Sequence, residues 1–278
     1  MSTGLRVEGL TLDIHTEAEV LPILRGVDLD VRAGSVQGLA GESGSGKTMT
    51  GLAVMGLQPP HSVTHGHIWL GDTDLLALRG AGLNAVRGRH IGMVFQDPST
   101  SLHPQLTIGA QLTDHVRHHL KLSRAQAAER AVEGLNRVGI TGGRDTLSRY
   151  PHEFSGGQRQ RVAIALACDP QVVIMDEPTT ALDVTVQAGV LALVRDLVDS
   201  LGLAVLFITH DLGVMSAIAD RVAVMRHGEV VEDGPRDEVF TDPKHEYTRS
   251  LLASLPGASG GLRSRDDLAR LAGEGGAA

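Results

Sequence analysis

A glycine-rich segment at residues 41–48 has the residue types and spacing of a phosphate-binding loop. It fits the pattern G-x-x-x-x-G-K-[ST], follows a short apolar run at Val36–Ala40 and precedes a predicted helix at residues 47–57. Glycines let the backbone wrap closely, so that successive amides can point at phosphate oxygens, and the helix N-terminus adds its positive dipole end. The residues predicted to bind phosphate are Gly41, Ser43, Gly44, Ser45, Gly46, Lys47 and Thr48.

Two side chains of this loop have more specific predicted roles. Lys47 is expected to reach the β- and γ-phosphates of a nucleotide, and the Thr48 hydroxyl is expected to bind Mg²⁺. The alternative is a glycine-rich turn that binds no ligand. The position between a strand and a helix makes that alternative the weaker interpretation.

A second candidate for chemistry is the pair Asp176 and Glu177, which ends the apolar run at residues 172–175. At the carboxyl end of a buried strand, Asp176 can contribute to a Mg²⁺ shell while Glu177 faces an attacking water as base or orienter. Strands that end in acidic residues are common. The pair therefore indicates a Mg²⁺ and catalytic role only in combination with the phosphate loop.

A third segment, Ser155-Gly156-Gly157-Gln158, is predicted to open a helix that runs to about Ala167. Serine at an N-cap followed by small residues is typical of a helix start, and a helix start can also bind an anion. In isolation an ordinary cap is the better interpretation. Its place about twenty residues before Asp176 favours a functional role.

The elements that position these residues alternate between strands and helices, which predicts an α/β fold with a mostly parallel sheet. Short apolar runs at residues 36–40, 91–95, 172–175 and 204–208 are typical of buried parallel strands. Residues 5–35 have the alternation of an antiparallel layer, and residues 104–169 are predicted to form a helical lobe. Residues 1–256 form one predicted domain, and 257–278 a flexible tail rich in small residues.

Composition argues against several classes of protein. A net charge of −8 is a poor match for nucleic-acid binding, which needs clustered positive charge. Cys168 is the only cysteine, so an intrachain disulfide or a cysteine-ligated cluster is excluded. We also find no secretion signal and no stretch of about 20 apolar residues. We therefore expect a cytoplasmic protein, and any path across a membrane would come from another polypeptide.

These motifs, in this order, resemble those of the ABC ATPases, over about residues 5–256. Gln96 follows the strand ending at Phe95, as in their Q-loop; Ala181-Leu182-Asp183 resembles their D-loop; and Thr209-His210-Asp211 resembles their switch-histidine segment. Singly, Gln96, Asp183 and His210 would be a loop amide, a helix cap and a structural histidine. Together with the phosphate loop, the acidic strand and residues 154–158, they form a specific set.

The resemblance implies a P-loop NTPase core with an N-terminal antiparallel layer and an inserted helical subdomain. It implies ATP and Mg²⁺ as cofactors, with Glu177 and His210 catalytic and with Thr48, Gln96 and Asp176 at the metal. The signature residues Ser155, Gly156, Gly157 and Gln158 would then contact the ATP of a partner. The implied partners are a second ATPase subunit, two membrane permease subunits and an extracytoplasmic solute-binding protein, without nucleic acid. The chain would sit peripherally on the cytoplasmic face of the membrane.

Three longer segments resemble the peptide/nickel-type importers within that family: residues 96–104, 178–187 and 242–252. Residues 41–56 look more like the first of their two paired ATPases than the second. Di- or oligopeptides are therefore the expected cargo. Nickel, a metal–chelator complex and a sugar remain open, and so does the question whether the partner ATPase is identical or a paralogue.

Two departures from the family pattern matter. Ile14 and His15 stand where relatives place an aromatic residue that stacks on adenine, and base–aromatic stacking is worth roughly 1–3 kcal/mol per base. We hypothesise that His15 takes that role. Some relatives carry a cysteine-ligated iron–sulfur cluster near the C-terminus, which Cys168 alone cannot form.

Other readings of the sequence are weaker. His115 and His119 are spaced i, i+4 on a predicted helix and could bind a metal, but no third ligand is evident. A non-transport ABC ATPase usually brings coiled-coil insertions, zinc-ligating cysteines or two ATPase units in one chain. A regulatory module that binds ATP without hydrolysing it is disfavoured by the presence of Glu177 and His210.

Overall fold

The computed structural model describes residues 4–96, 101–165, 170–180, 182–254 and 264–275. Their strands form two sheets. These strands are β1 (Leu5–His15), β2 (Val20–Val31), β3 (Val36–Ala40), β4 (Ser62–Leu70), β5 (Thr73–Asp74), β6 (Ile91–Val94), β7 (Val172–Asp176), β8 (Ala204–Ile208), β9 (Arg221–Arg226) and β10 (Glu229–Pro235).

The helices of the described residues connect and cover these sheets. They are α1 (Lys47–Met55), α2 (Ala81–Val86), α3 (Ile108–Leu120), α4 (Arg124–Arg137), α5 (Gly143–Leu147), α6 (Gly156–Ala165), α7 (Val184–Leu201), α8 (Leu212–Ile218), α9 (Arg236–Thr241), α10 (Glu246–Ala253) and α11 (Arg265–Gly275). Short 3₁₀ turns lie at Leu75–Ala77 and Pro151–Glu153.

The larger sheet has the strand order β10-β9-β3-β8-β7-β6, and all its pairs are parallel except β10 with β9. Every residue of β3, β7 and β8 is buried, as expected for strands covered on both faces. The predicted α/β fold with a mostly parallel core is confirmed. Because parallel strands end at the same edge, the residues that follow β3, β7 and β8 meet there.

The smaller sheet is antiparallel, with the order β2-β1-β4-β5. Alternating residues of β1 and β2, such as Leu10, Leu12 and Leu24, are fully buried and pack toward Val54 of α1 and Ile174 of β7. This confirms the predicted N-terminal antiparallel layer. The strands β4 and β5 extend that layer beyond the predicted residues 5–35.

Helices α3 to α6 lie within the interval predicted to be a helical lobe. Ser123 starts α4 with a capping box, in which Gln126 closes the second hydrogen bond. Leu112, Leu135 and Ile164 from three of these helices share a buried cluster with Met175 of β7. The helices therefore pack against the strand that ends in the acidic pair.

The predicted bounds differ from the observed ones at several helix ends. Helix α1 ends at Met55, two residues earlier than predicted, because Gly56 takes a left-handed conformation (φ 61°) and caps it. Helix α6 is described to Ala165, and Cys168 lies outside the described residues, as do residues 97–100 and Ala181.

Part of the segment predicted to be a flexible tail is helical. Helix α11 packs against α7 and α8, with Leu268 buried and Leu271 beside it in the core cluster. These leucines are three residues apart and form one apolar face, a signal that the glycine- and alanine-rich composition of the segment obscured. None of the described helices is long and apolar enough to span a membrane.

Candidate nucleotide-binding site

The phosphate loop joins β3 to α1, as the sequence predicted. Gly41 and Gly46 adopt positive φ angles of 151° and 109°, which favour glycine. A Cβ at Gly41 would collide with the carbonyl oxygen of Met225, so the loop is packed against the end of β9. Helix α1 begins at Lys47 without a side-chain cap, which leaves its first amides directed at the loop.

Lys47 is buried inside this loop. Its Nζ donates hydrogen bonds to the carbonyl oxygens of Gly41 and Glu42, both at 2.8 Å. Burial lowers the pKa of Lys47 below its ordinary value, although the charges of Glu177, Asp176 and Glu42 oppose that shift. The ammonium group is thus held by neutral carbonyls that phosphate oxygens can replace as stronger, charged acceptors.

Thr48 and Asp176 meet across the gap between α1 and β7. The Thr48 hydroxyl donates to Oδ1 of Asp176 at 3.1 Å. Burial raises the pKa of Asp176, and the charge of Glu177 raises it further, while the Thr48 hydrogen bond and Lys47 act in the opposite direction. A buried carboxylate beside a second carboxylate is stabilised by a divalent cation, and hydroxyl and carboxylate oxygens suit Mg²⁺.

Glu177 occupies a strained position immediately after β7. Its φ is 47°, an uncommon value for a residue with a side chain and one found preferentially at functional sites. Its Oε1 lies 2.8 Å from Nδ1 of His210, and its Oε2 accepts hydrogen bonds from Gln96 Nε2 at 3.3 Å and from the Thr180 hydroxyl at 3.0 Å. The structure therefore brings the predicted Gln96, Glu177 and His210 together and adds Thr180, which the sequence did not single out.

One cavity at the carboxyl edge of the parallel sheet joins these groups. Its wall includes most of the phosphate loop together with Gln96, Glu177, Thr180 and His210. Two aliphatic residues from distant parts of the chain, Ile23 and Leu251, also line it. A wall that combines backbone amides, a lysine, carboxylates and apolar patches suits a nucleotide with its phosphates at the loop.

The predicted adenine residues lie elsewhere on the antiparallel sheet. Ile14 packs against the core cluster, and the His15 amide donates to the His61 carbonyl at 3.0 Å. Neither is among the described residues that line the cavity, whereas Ile23 of β2 is. Ile23 follows a proline in an ordinary strand pattern, so no sequence signal marked it.

The signature residues lie away from this cavity. The Ser155 hydroxyl accepts from the Gln158 amide at 3.3 Å and the Gln158 side chain accepts from the Ser155 amide at 3.0 Å, so the pair forms a capping box at α6. A Cβ at Gly157 would collide with Val186 Cγ1, so a larger residue there would force the Val186 side chain to move. Ser155, Gly157 and Gln158 line a separate cleft with residues of α7 and α11.

Asp183 has a local structural role. Its carboxylate accepts from the Val186 amide at 3.0 Å and caps the N-terminus of α7. This is the helix cap that the sequence allowed as an alternative to a D-loop function. Both roles are compatible, because a cap uses only part of the carboxylate's acceptor capacity.

The histidines His115 and His119 do meet on α3, with ring centroids 4.6 Å apart, and they pack against Gly88. Across the described part of the chain, however, no three His, Cys, Asp or Glu side chains are grouped to hold a metal ion. A metal role for this pair therefore has no support in the described residues.

Comparison with known proteins decides the family. The family description "ABC transporter" matches residues 24–180, more than half of the chain. The chain belongs to the ABC transporter family. The matched segment contains the phosphate loop, the signature residues, the acidic pair and Thr180, but neither His210 nor Leu251.

Curated relatives and solved structures agree with that assignment of an ABC ATPase. The chain is 47% identical to the oligopeptide transport ATP-binding protein OppD of Bacillus subtilis, with 91% of this chain and 72% of that protein covered. It is 44% identical to the dipeptide transport ATP-binding protein DppD of the same organism, with coverage of 92% and 79%.

Among solved structures, the dimeric post-hydrolysis state of the ATP-binding cassette MJ0796 bound to ADP and Pi matches with a TM-score of 0.72 and 27% identity, covering 84% of this chain and 98% of that one. The structure of cbiO1 from Clostridium perfringens matches with a TM-score of 0.73 and 28% identity, covering 92% and 97%. This ABC ATPase therefore binds ATP and couples its hydrolysis to transport.

Proposed function

We propose that this ABC ATPase powers the import of di- or oligopeptides and hydrolyses ATP at a site shared by two ATPase subunits. The cargo assignment is supported by relatives that are named as oligopeptide and dipeptide transport proteins and are 44–47% identical over more than nine-tenths of the chain. The observation that carries the hydrolytic role is the position of Glu177, which faces the phosphate loop and is held by His210, Gln96 and Thr180.

Phosphate binding begins with an exchange of partners at Lys47. Its Nζ leaves the carbonyls of Gly41 and Glu42 for oxygens of the β- and γ-phosphates, while the loop amides and the start of α1 contact the same phosphates. Because the ammonium is already buried, little further desolvation is needed. Ser43 lines the cavity beside these groups, whereas Ser45 is buried and is not among the residues described in its wall, so its phosphate contact stays a prediction.

Mg²⁺ would be held by Thr48 and Asp176, with Gln96 as the third predicted protein ligand. When bound, the ion neutralises charge on the phosphates. Burial raises the pKa of Asp176 and the charge of Glu177 raises it further, and a bound cation would oppose both effects. Thr48 would bind the ion through a lone pair of its hydroxyl oxygen, which would have to turn away from Asp176.

Hydrolysis requires a base beside the terminal phosphate. Glu177 accepts a proton from the attacking water through its carboxylate, and His210 holds that carboxylate through Oε1. Thr180 and Gln96 hold the other oxygen, so the carboxylate has one defined orientation. The strained backbone at Glu177 fits a residue that is positioned for function rather than for stability.

The signature residues supply the second half of the site from another subunit. Residues 155–158 are absent from the described wall of the cavity that holds the phosphate loop, which supports their contacting the ATP of a partner. The dimeric form of the related cassette MJ0796 supports the same arrangement. A paralogous ATPase, two permease subunits and a solute-binding protein would complete the importer, with this chain on the cytoplasmic face.

The cargo is tested by purifying the transporter with its solute-binding protein and identifying the ligand that the binding protein retains. We expect di- or oligopeptides, and we expect the same peptides to stimulate ATP hydrolysis by the transporter in vesicles. Retention of nickel or a metal–chelator complex, without peptide stimulation, would overturn the peptide assignment and leave the ATPase role intact. Recovery of the chain with nucleic acid or ribosomes, and without membrane proteins, would contradict a transport role.

A further inference from the structure

The C-terminal helix α10 reaches the phosphate loop from a part of the chain about 200 residues away. The backbone amide of Glu42 donates a hydrogen bond to the Tyr247 hydroxyl at 3.2 Å, and Leu251, one turn further along α10, lines the nucleotide cavity. Tyr247 itself is buried, with 7% of its surface exposed. Helix α10 is therefore a wall of the site, although it lies beyond the residues that match the family description.

The hydrogen bond acts on one particular peptide group. The peptide unit between Gly41 and Glu42 presents its carbonyl to Lys47 Nζ at 2.8 Å and its amide to Tyr247. Both ends of that rigid plane are thus held, the carbonyl by Lys47 and the amide by Tyr247. Lys47 must release the carbonyl when it binds the nucleotide phosphates. Once Lys47 turns to phosphate, the Tyr247 contact continues to define the orientation of the peptide.

Tyr247 is anchored independently of the loop. The Arg226 guanidinium lies over its ring, 4.8 Å from the centroid, and the ring packs with Leu212 and Val224 in a buried cluster. The start of α10 is fixed as well, because the Glu232 carboxylate accepts hydrogen bonds from the amides of Lys244 and His245. The hydroxyl is therefore held in place by the fold rather than by the loop it contacts.

We propose that Tyr247 is a positioning residue for the phosphate loop, whose hydroxyl sets the Gly41–Glu42 peptide in the conformation that receives nucleotide phosphates. This inference rests on the proposed ATPase function. Tyr247 is not among the described residues that line the nucleotide cavity. Its contribution is to binding, since the orientation of the loop matters before and after the chemical step alike.

The test is Tyr247→Phe, which removes the acceptor oxygen and keeps the ring. We expect the dissociation constants of the full chain for ATP and for inorganic tripolyphosphate to rise by the same factor, about two- to tenfold for one hydrogen bond. In the assembled transporter the KM for ATP should rise with kcat retained. Tyr150→Phe is the matched control, because Tyr150 is the only other tyrosine and is exposed; it should change neither constant.

A second measurement, hydrogen exchange at the Glu42 amide, gives one result in the wild type alone, where a folding defect of the variant cannot affect it. In nucleotide-free wild-type protein the Glu42 amide should resist hydrogen exchange, and Tyr247→Phe should remove that protection. Free exchange at Glu42 in the wild type, or unchanged affinities for both ligands in Tyr247→Phe, would overturn the positioning role. A rise for ATP alone, with tripolyphosphate unaffected, would overturn it too. A wild-type chain that binds neither ligand would overturn the proposed function as well.

Discussion

Nδ1 of His210 lies 2.8 Å from Oε1 of Glu177, and this contact joins the ends of two neighbouring parallel strands. His210 follows β8 and Glu177 follows β7, so the sheet register alone brings them to the same edge. The Glu177 side chain is 16% exposed and the His210 side chain 54%. The carboxylate is therefore sheltered at the base of the cavity, while the imidazole reaches it from the open side.

The Thr180 hydroxyl is predicted to restrict the other oxygen of the same carboxylate. Thr180→Val removes the 3.0 Å hydrogen bond to Oε2 with little change in volume. We expect kcat for ATP hydrolysis to fall about two- to tenfold, as for the loss of one hydrogen bond, with the KM nearly unchanged. Thr241→Val is the matched control, because Thr241 bonds only within α9. Equal kcat values for the Thr180 variant and the wild type would show that this contact does not orient the base.

Ile23 is predicted to contribute the apolar contact to the nucleoside that an aromatic residue makes in relatives. We expect Ile23→Ala to raise the dissociation constant for ATP about three- to tenfold, since the substitution removes three carbons and the nucleoside would cover only part of this half-exposed side chain. Binding of tripolyphosphate, which has no nucleoside, should not change. His15→Ala is the informative comparison: a larger loss with His15→Ala than with Ile23→Ala would support the stacking hypothesis for His15 and contradict this assignment.

His115 and His119, which lie on α3 and pack against Gly88, are predicted to lower the free energy of unfolding in mild acid. Burial lowers the pKa of His115, and the charge of His119 lowers it further, although a hydrogen bond with the Gly88 backbone opposes the shift. Burial also lowers the pKa of His119, together with the charges of His118 and Arg89. The unfolded chain thus binds more protons below its own pKa of about 6.5. The free energy of unfolding should therefore be constant above that pH and fall below it.

Urea unfolding at pH 7.5 and at pH 5.5 measures this difference. In His115→Gln the loss of stability between the two pH values should be smaller than in the wild type. The exposed His152 provides the control, and His152→Gln should keep the wild-type difference. An equal loss in His115→Gln and the wild type would exclude the buried histidine as the cause.

Much of the fold was predictable because its strands are continuous apolar runs. The bounds of β3 and β8 match the predicted runs, and the phosphate loop lies between β3 and α1 as expected. Strand β4 was missed because its sequence, with Gly66 and two histidines, has few buried residues and gains its place only by pairing with β1. Helix α11 was missed because its two core leucines stand among small residues.

The residues of the candidate site also fall into those that the sequence identifies and those that it does not. The sequence identifies Lys47, Glu177 and His210 because each belongs to a short motif that directly follows a single strand. Ile23 reaches the cavity, and Tyr247 the phosphate loop, only through tertiary packing, and an isoleucine in a strand or a tyrosine in a helix gives no local sign of such a role. Asp183 shows that a motif residue can also have a local structural role, because it caps α7, while its D-loop role stays a prediction.

The most direct test of the catalytic assignment is the ATPase rate of Glu177→Gln in the assembled transporter, measured beside its equilibrium affinity for ATP. Glutamine keeps the size of the side chain and one of its two oxygens, but its amide cannot accept a proton from water. We expect turnover to fall by about 100-fold or more with ATP affinity preserved, and Glu229→Gln, at an exposed position on β10, to behave as the wild type. Near-normal steady-state hydrolysis by Glu177→Gln would contradict the assignment of Glu177 as the base.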